Sequence, residues 1–124
     1  MRVYIAGPYT RGDTGWNVSQ AMTAAHRLLN FGHAPYVPHL NHFLHLLHAR
    51  SYEDWMELDM AWLAMAEALI RLPGDSPGAD KEVAYARDHH ILVYQSVDQF
   101  LEVERERLRG KLNEQETPQA GRNQ

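Results

Sequence analysis

The sequence predicts an α/β fold, and three observations carry that prediction. Short apolar runs alternate with helix-period segments in the order βαβαβαβα along 124 residues. The first run is cut off at once by Gly7-Pro8 and the third is followed by Pro73-Gly74, so tight turns come directly after strands. Each pair of consecutive strands is separated by enough chain for a helix, which implies parallel pairing through right-handed crossovers. The expected architecture is a flavodoxin-like or Rossmann-like three-layer sandwich with a parallel sheet of four to five strands, ordered 2-1-3-4 for the four that are visible.

Composition narrows the function classes. A chain of this length suits one domain with a modest core, expected over residues 1–112, with the polar stretch 113–124 expected to be a disordered tail. Hydrophobic content of 44% is globular, and no apolar run approaches the roughly 18 residues of a membrane span. The absence of cysteine excludes disulfides, thiolate metal sites and cysteine nucleophiles. With a net charge of −4 the chain lacks the basic excess of a nucleic-acid backbone binder. The first apolar run is too short for a signal-peptide core, and a cytoplasmic location is expected.

Arg2 to Ala6 reads as the first strand, rich in Val, Tyr and Ile. Its following loop, Gly7 to Gly15, lacks both the G-x-G-x-x-G fingerprint and the Gly-Lys-Ser/Thr of a P-loop. Val18, Ala21, Met22, Ala25, Leu28 and Leu29 recur at one-face helical spacing, and Gly32 supplies the stop. Ala34 to Pro38 reads as a second strand whose prolines suit a sheet edge. Ser51 with Asp54 resembles a capping box opening a helix through about Ala66, with an apolar face of Trp55, Leu58, Trp62, Met65 and Ala66. Ala68 to Leu72 is the third strand, Pro73 to Gly78 a tight connection, and Ala79 to His89 a helix. Ile91 to Tyr94 is the fourth strand, and Ser96 with Gln99 caps a final helix through about Leu112.

Strand order 2-1-3-4 puts the switch point between the Gly7 loop and the Leu72 loop, where ligands sit in open parallel sheets. Arg11, Ser76 and Glu82 meet there. Glu82 reads either as an ordinary helix-start glutamate favoured by the dipole or as a carboxylate held at a site, and Arg11 either as a phosphate ligand or as a solvated loop arginine. Asp59 lies inside an apolar helical stripe, where a carboxylate must be paired, hydrogen-bonded, in a wet pocket or reaching solvent at the stripe's edge. It joins the others only if its helix leans over the crevice. His39, His42, His45 and His48 follow at three-residue intervals, which drift by about 60° per step on a helix and do not converge on one ion. No HExxH pattern accompanies them, so pocket-lining and core-edge roles are expected and no metal, with His39 and His42 nearest any substrate.

Three separated motifs resemble the nucleoside 2-deoxyribosyltransferase superfamily, and within it the 2'-deoxynucleoside 5'-phosphate N-hydrolases and related short proteins, over roughly Arg2 to Tyr94. Val3-Tyr4-Ile5-Ala6-Gly7-Pro8 is similar to the opening strand, in which a tyrosine touches the catalytic carboxylate. Leu58-Asp59-Met60-Ala61-Trp62-Leu63 is similar to an Asp-Leu-x-Trp-Leu motif whose aspartate acts at the leaving base. Ser76 to Ala86 resembles the loop and helix that carry the nucleophilic glutamate. Six residues before that glutamate the transferases carry aspartate and the phosphate-accepting hydrolases serine; here it is Ser76. Arg11-Gly12 is similar to the hydrolases' first loop, one residue further from Gly7, whereas Asp80 replaces a glycine and the histidine segment after Pro38 is longer than theirs.

The resemblance implies retaining N-glycoside cleavage of a nucleotide or nucleoside, with no cofactor. Glu82 is then the nucleophile, its pKa kept low by the helix N-terminus; Asp59 donates a proton to the departing base or holds it; Tyr4 orients Glu82. Gly7, Arg11, Ser76, Gly78, His39 and His42 are the implied substrate contacts, Arg11, Ser76 and the backbone around Gly78 taking a 5'-phosphate. A homodimer with sites completed across its interface is expected, and neither a nucleic-acid nor a membrane partner. Transfer to a second base, hydrolysis of another N-glycoside such as NAD, a non-catalytic nucleotide-binding module and a histidine-based metal hydrolase are the alternatives.

Overall fold

The computed structural model describes residues 1–116. Its sheet has four strands in the order β2-β1-β3-β4: β1 Arg2–Ala6, β2 Ala34–Tyr36, β3 Ala68–Arg71 and β4 Leu92–Tyr94. All three pairings are parallel, with Tyr4 opposite Tyr36 on one side and Leu69 on the other. This is the expected flavodoxin-like order, with β1 and β3 at the centre. Pro35, which cannot complete a ladder from both sides, lies in the edge strand β2.

Period-2 alternation sends the central strands' side chains into two cores. Val3, Ile5, Ala68 and Ile70 pack with Ala21, Ala24, Ala25 and Leu28 of α1 (Thr14–Asn30) and with Val97 and Phe100 of α5 (Val97–Glu116). On the opposite face Tyr4, Ala6 and Leu69 pack with Leu63 of α3 (Tyr52–Leu63) and with Ala79 and Ala86 of α4 (Pro77–Asp88). A large side chain buried in this way contributes about 1.5–3 kcal/mol. The small helical residues Ala21, Ala24, Ala25, Ala79 and Ala86 let α1 and α4 come close to the sheet.

Local chemistry fixes the helix starts. Asp13 accepts from the Trp16 N–H at 2.7 Å, Ser51 from Asp54 at 3.1 Å, and Ser76 from Ala79 at 3.1 Å. Ser96 accepts from the Gln99 N–H at 3.0 Å while Gln99 Oε1 accepts from the Gln95 N–H at 2.7 Å, satisfying donors from both ends of the turn.

The structure corrects the sequence reading at several places. In α1, Met22 and Leu29 are exposed, because Ala24 and not Met22 completes the buried stripe. In α3 only Asp59 and Leu63 are buried; Trp62 is 53% exposed and stacks on Tyr36, and Met65 lies past the helix end, exposed. The histidine segment is a 3₁₀ turn, Pro38–Leu40, running into the short helix α2, Asn41–Leu47. Helix α4 begins at Pro77 instead of Ala79, since Ser76 caps it and proline suits the first helical position. Helix α5 continues beyond Leu112 to Glu116, so residues 113–116 are helical; 117–124 lie outside the described residues. Among the described residues, no helix is long and apolar enough to cross a membrane.

Candidate active site

A cavity of about 680 Å³ opens at the carboxyl ends of β1 and β3, a size within the range of small-molecule sites. Close backbone approach builds its floor. A Cβ on Gly7 would lie 2.9 Å from Leu72 Cβ, so only glycine lets the chain leaving β1 pass the chain leaving β3. Gly74, at φ +116°, has no room for a side chain either, because a Cβ there would meet Pro8 Cγ at 2.7 Å.

Both carboxylates singled out from the sequence line this cavity, and both are buried. Glu82 comes from α4 and Asp59 from α3, which does lean over the crevice. Tyr4, fully buried on β1, lies beneath Glu82. Desolvation pushes Glu82 up to about 8, the nearby Tyr4 hydroxyl pulling it down and Asp59 pushing it further up. Burial likewise pushes Asp59 up to about 7. Tyr4 is raised far above the ordinary phenol range, first by burial and then by the two carboxylates. Tyr4 Oη and Glu82 Oε2 are both buried without a partner at hydrogen-bond geometry. The hydroxyl nevertheless lies close enough to Glu82 to favour its ionised form. Asn41 Nδ2 donates to Asp59 Oδ1 at 3.5 Å, a long bond.

The expectation that the helix N-terminus holds Glu82 at low pKa is overturned. Because α4 starts at Pro77, Glu82 sits in its second turn, beyond the reach of a field that fades within the first. Burial against β1 and α3 wins instead. Asp80 occupies the first turn and accepts from Arg71 Nη2 at 3.1 Å, in a separate depression with Arg87 on the other side of α4. Its charge is thus neutralised away from the main cavity.

Gly7, Arg11, Ser76, Gly78, His39 and His42 all line the cavity. The Ser76 hydroxyl oxygen is engaged by the Ala79 N–H, which leaves its O–H free to donate. Arg11 Nη1 donates to Asp75 Oδ2 at 2.6 Å across the mouth. His39 Nε2–H donates to the Pro8 carbonyl at 2.9 Å, fixing its tautomer, and burial lowers its pKa. His42 Nδ1 pairs with the Tyr9 hydroxyl, and His45 Nδ1 accepts from Trp55 Nε1 at 2.8 Å. His48 is exposed beyond α2. Among the described residues, no cluster of three or more His, Asp or Glu is placed to hold a metal ion.

Sequence reasoning missed Tyr9, Asn41, Arg50, Tyr52, Met56 and Lys81, which also line the cavity. A signal for part of this set was present. Tyr52, Trp55, Met56 and Asp59 recur at i, i+3, i+4, i+7, which is the face of α3 turned to the cavity. Lys81 Nζ lies 5.4 Å from the Tyr52 ring centroid at the rim.

Fold and site together define a small flavodoxin-like α/β protein with two buried carboxylates at the switch point of its sheet. The chain belongs to the family described as Domain of unknown function (DUF4406), whose profile matches residues 1–95 and therefore covers every strand and cavity residue. No curated protein matches. Among solved structures the chain is similar to a 2-deoxyribosyltransferase from the psychrotolerant bacterium Bacillus psychrosaccharolyticus, characterised as a biocatalyst for nucleoside synthesis. The TM-score is 0.59 with 21% sequence identity, over 75% of this chain and 69% of that one. At this identity the likeness shows a shared fold.

Proposed function

We propose that the protein cleaves the N-glycosidic bond of a nucleoside 5'-monophosphate or its nucleoside through a covalent glycosyl-enzyme. One observation carries the reading: Glu82 and Asp59, both buried and both raised in pKa, share a single cavity wall with Tyr4 behind Glu82. Two coupled carboxylates that cannot both ionise cheaply supply one nucleophile and one acid.

In the first step ionised Glu82 attacks the anomeric carbon as the C–N bond breaks. The bonding pair leaves with the base, which takes the proton held by Asp59. In the second step Asp59, now ionised, removes a proton from water, whose oxygen displaces Glu82 and releases the sugar. Tyr4 donates to Glu82 whenever it is anionic. Arg11, the Ser76 O–H and the Gly78 N–H at the start of α4 receive the 5'-phosphate, and His39 and His42 border the base. Chromatography of free bases released from ribo- and deoxyribonucleosides and their monophosphates tests the reading; no base from any of them sinks it.

A second reading, transfer of the sugar to another base, needs only a base in place of water at the second step. The fold shared with a 2-deoxyribosyltransferase favours keeping it, and a new nucleoside formed on adding a second base distinguishes it. We also propose a homodimer. Phe43, Leu46 and Leu47 of α2 point outward at 62%, 66% and 80% exposure, beside exposed Leu40, an apolar surface that a second copy is suited to cover. A monomeric mass by light scattering in an active sample refutes this.

A further inference from the structure

We propose that Asp75 is a positioning residue that presets Arg11 to read an anionic group on the substrate; this rests on the function proposed above. Arg11 is held at two levels. Asn17 Nδ2 donates to the backbone carbonyls of Tyr9 and Arg11 at 3.0 and 2.8 Å, which fixes the loop, and Asp75 fixes the guanidinium at 2.6 Å. The two partners stand in different places: Arg11 lines the cavity and Asp75 does not. Asp75 therefore grips Arg11 from outside and through Nη1 alone, so Nε and Nη2 retain donors for a ligand within the cavity.

The arrangement is specific to Arg11. Of the other cations on the cavity wall, Arg50 lies 3.6 Å from Asp54 on its own side of the mouth and Lys81 rests on Tyr52. Among the ion pairs of the described residues, only Arg11–Asp75 joins the loop after β1 to the loop after β3, the two segments that Gly7 and Gly74 bring into contact. Both side chains are largely exposed, at 59% and 72%, so solvent and salt screen the mutual attraction and the field that Asp75 adds against an incoming anion. What remains is order. A free arginine immobilised on binding costs about 2- to 12-fold in affinity, and an exposed pair can remove about 2- to 5-fold of it in advance.

The test compares wild type, Asp75→Asn and Asp75→Glu on a nucleoside 5'-monophosphate and on its nucleoside, with titration calorimetry of inorganic phosphate alongside. For Asp75→Asn, KM for the monophosphate and Kd for phosphate are expected to rise about 2- to 5-fold. The nucleoside's kcat/KM should stay within about twofold, and Asp75→Glu should recover part of the loss. A fall in KM or Kd in Asp75→Asn means that the carboxylate competes with the anion and overturns the proposal. Equal loss on nucleoside and monophosphate means a structural role, and unchanged values, or no phosphate binding by wild type, mean that Arg11 is not the reader; each overturns it too. Calorimetry reads the site without turnover, so failure of the glycosidase reading is separable from failure here.

Discussion

Removing one oxygen from Tyr4 should move stability and activity in opposite directions. Tyr4 is fully buried, and its hydroxyl has no partner at hydrogen-bond geometry. An unsatisfied buried polar group costs about 1–3 kcal/mol, and Phe fills the same space without it. Tyr4→Phe is therefore expected to be neutral or more stable by up to about 2 kcal/mol, or several degrees in Tm for a domain of this size. In the reaction the same hydroxyl donates to anionic Glu82, and a hydrogen bond to a charged group contributes about 1.5–3 kcal/mol. Its loss should lower kcat/KM by roughly 10- to 150-fold. Chemical denaturation at pH 7 and a base-release assay on the same preparation measure both halves. A variant destabilised by more than about 1 kcal/mol yet fully active would falsify the assignment, since the hydroxyl would then hold the core together and leave the carboxylate alone.

The other predictions follow from the two raised carboxylates. Glu82→Gln should abolish at least about 99% of turnover while keeping the fold. It should also change the pH dependence of stability: wild-type Glu82 binds its proton more tightly folded than unfolded, so its contribution is complete below about 4.5 and lost as pH rises through about 8. The variant should match wild type near pH 4.5 and exceed it by a few kcal/mol above pH 8, on the order that linkage requires; parallel unfolding curves at both pH values exclude this. Asp59→Asn should impair poor leaving bases more than good ones, and a uniform loss would place Asp59 in sugar binding or structure. With Asp59 raised to about 7 and Glu82 to about 8, kcat/KM should be bell-shaped with its maximum between them; the singly protonated pair holds its proton mainly on Glu82, and the reactive form is the minority in which the proton sits on Asp59. A profile flat from pH 5 to 10 contradicts that coupling.

Much of this architecture is legible in residue order because its determinants are local. Gly7-Pro8 and Pro73-Gly74 end strands, and Ser51 and Ser96 cap helices. Asp59 was legible as an anomaly in an apolar stripe, though which face of α3 is the buried one was not. Trp62 and Met65 suggested one face, while Tyr52, Trp55 and Met56 line the cavity on another. The pKa of Glu82 was illegible for a different reason. Helix position is written in the sequence, but desolvation depends on Tyr4, Ala6 and α3 closing over the carboxylate from distant parts of the chain. The Arg11–Asp75 pair, separated by 64 positions, is likewise a product of topology.

The stacked rings at the edge of the sheet give the molecule an internal optical gauge. Trp62 lies 5.5 Å from Tyr36 at 20° between planes, and Tyr36 lies 5.5 Å from Tyr4 at 31°. A half-exposed indole is thus connected through one phenol to the phenol beneath Glu82, although Trp62 itself is outside the cavity wall. Trp55 is on that wall, its indole N–H held by His45. With the third tryptophan, exposed Trp16, replaced by Phe, the remaining two fluorophores view one event from different sides. In that Trp16→Phe background, emission from Trp55 is expected to respond to whatever enters the cavity and emission from Trp62 to the charge state of Glu82, so that adding Trp62→Phe or Trp55→Phe should separate occupancy from ionisation.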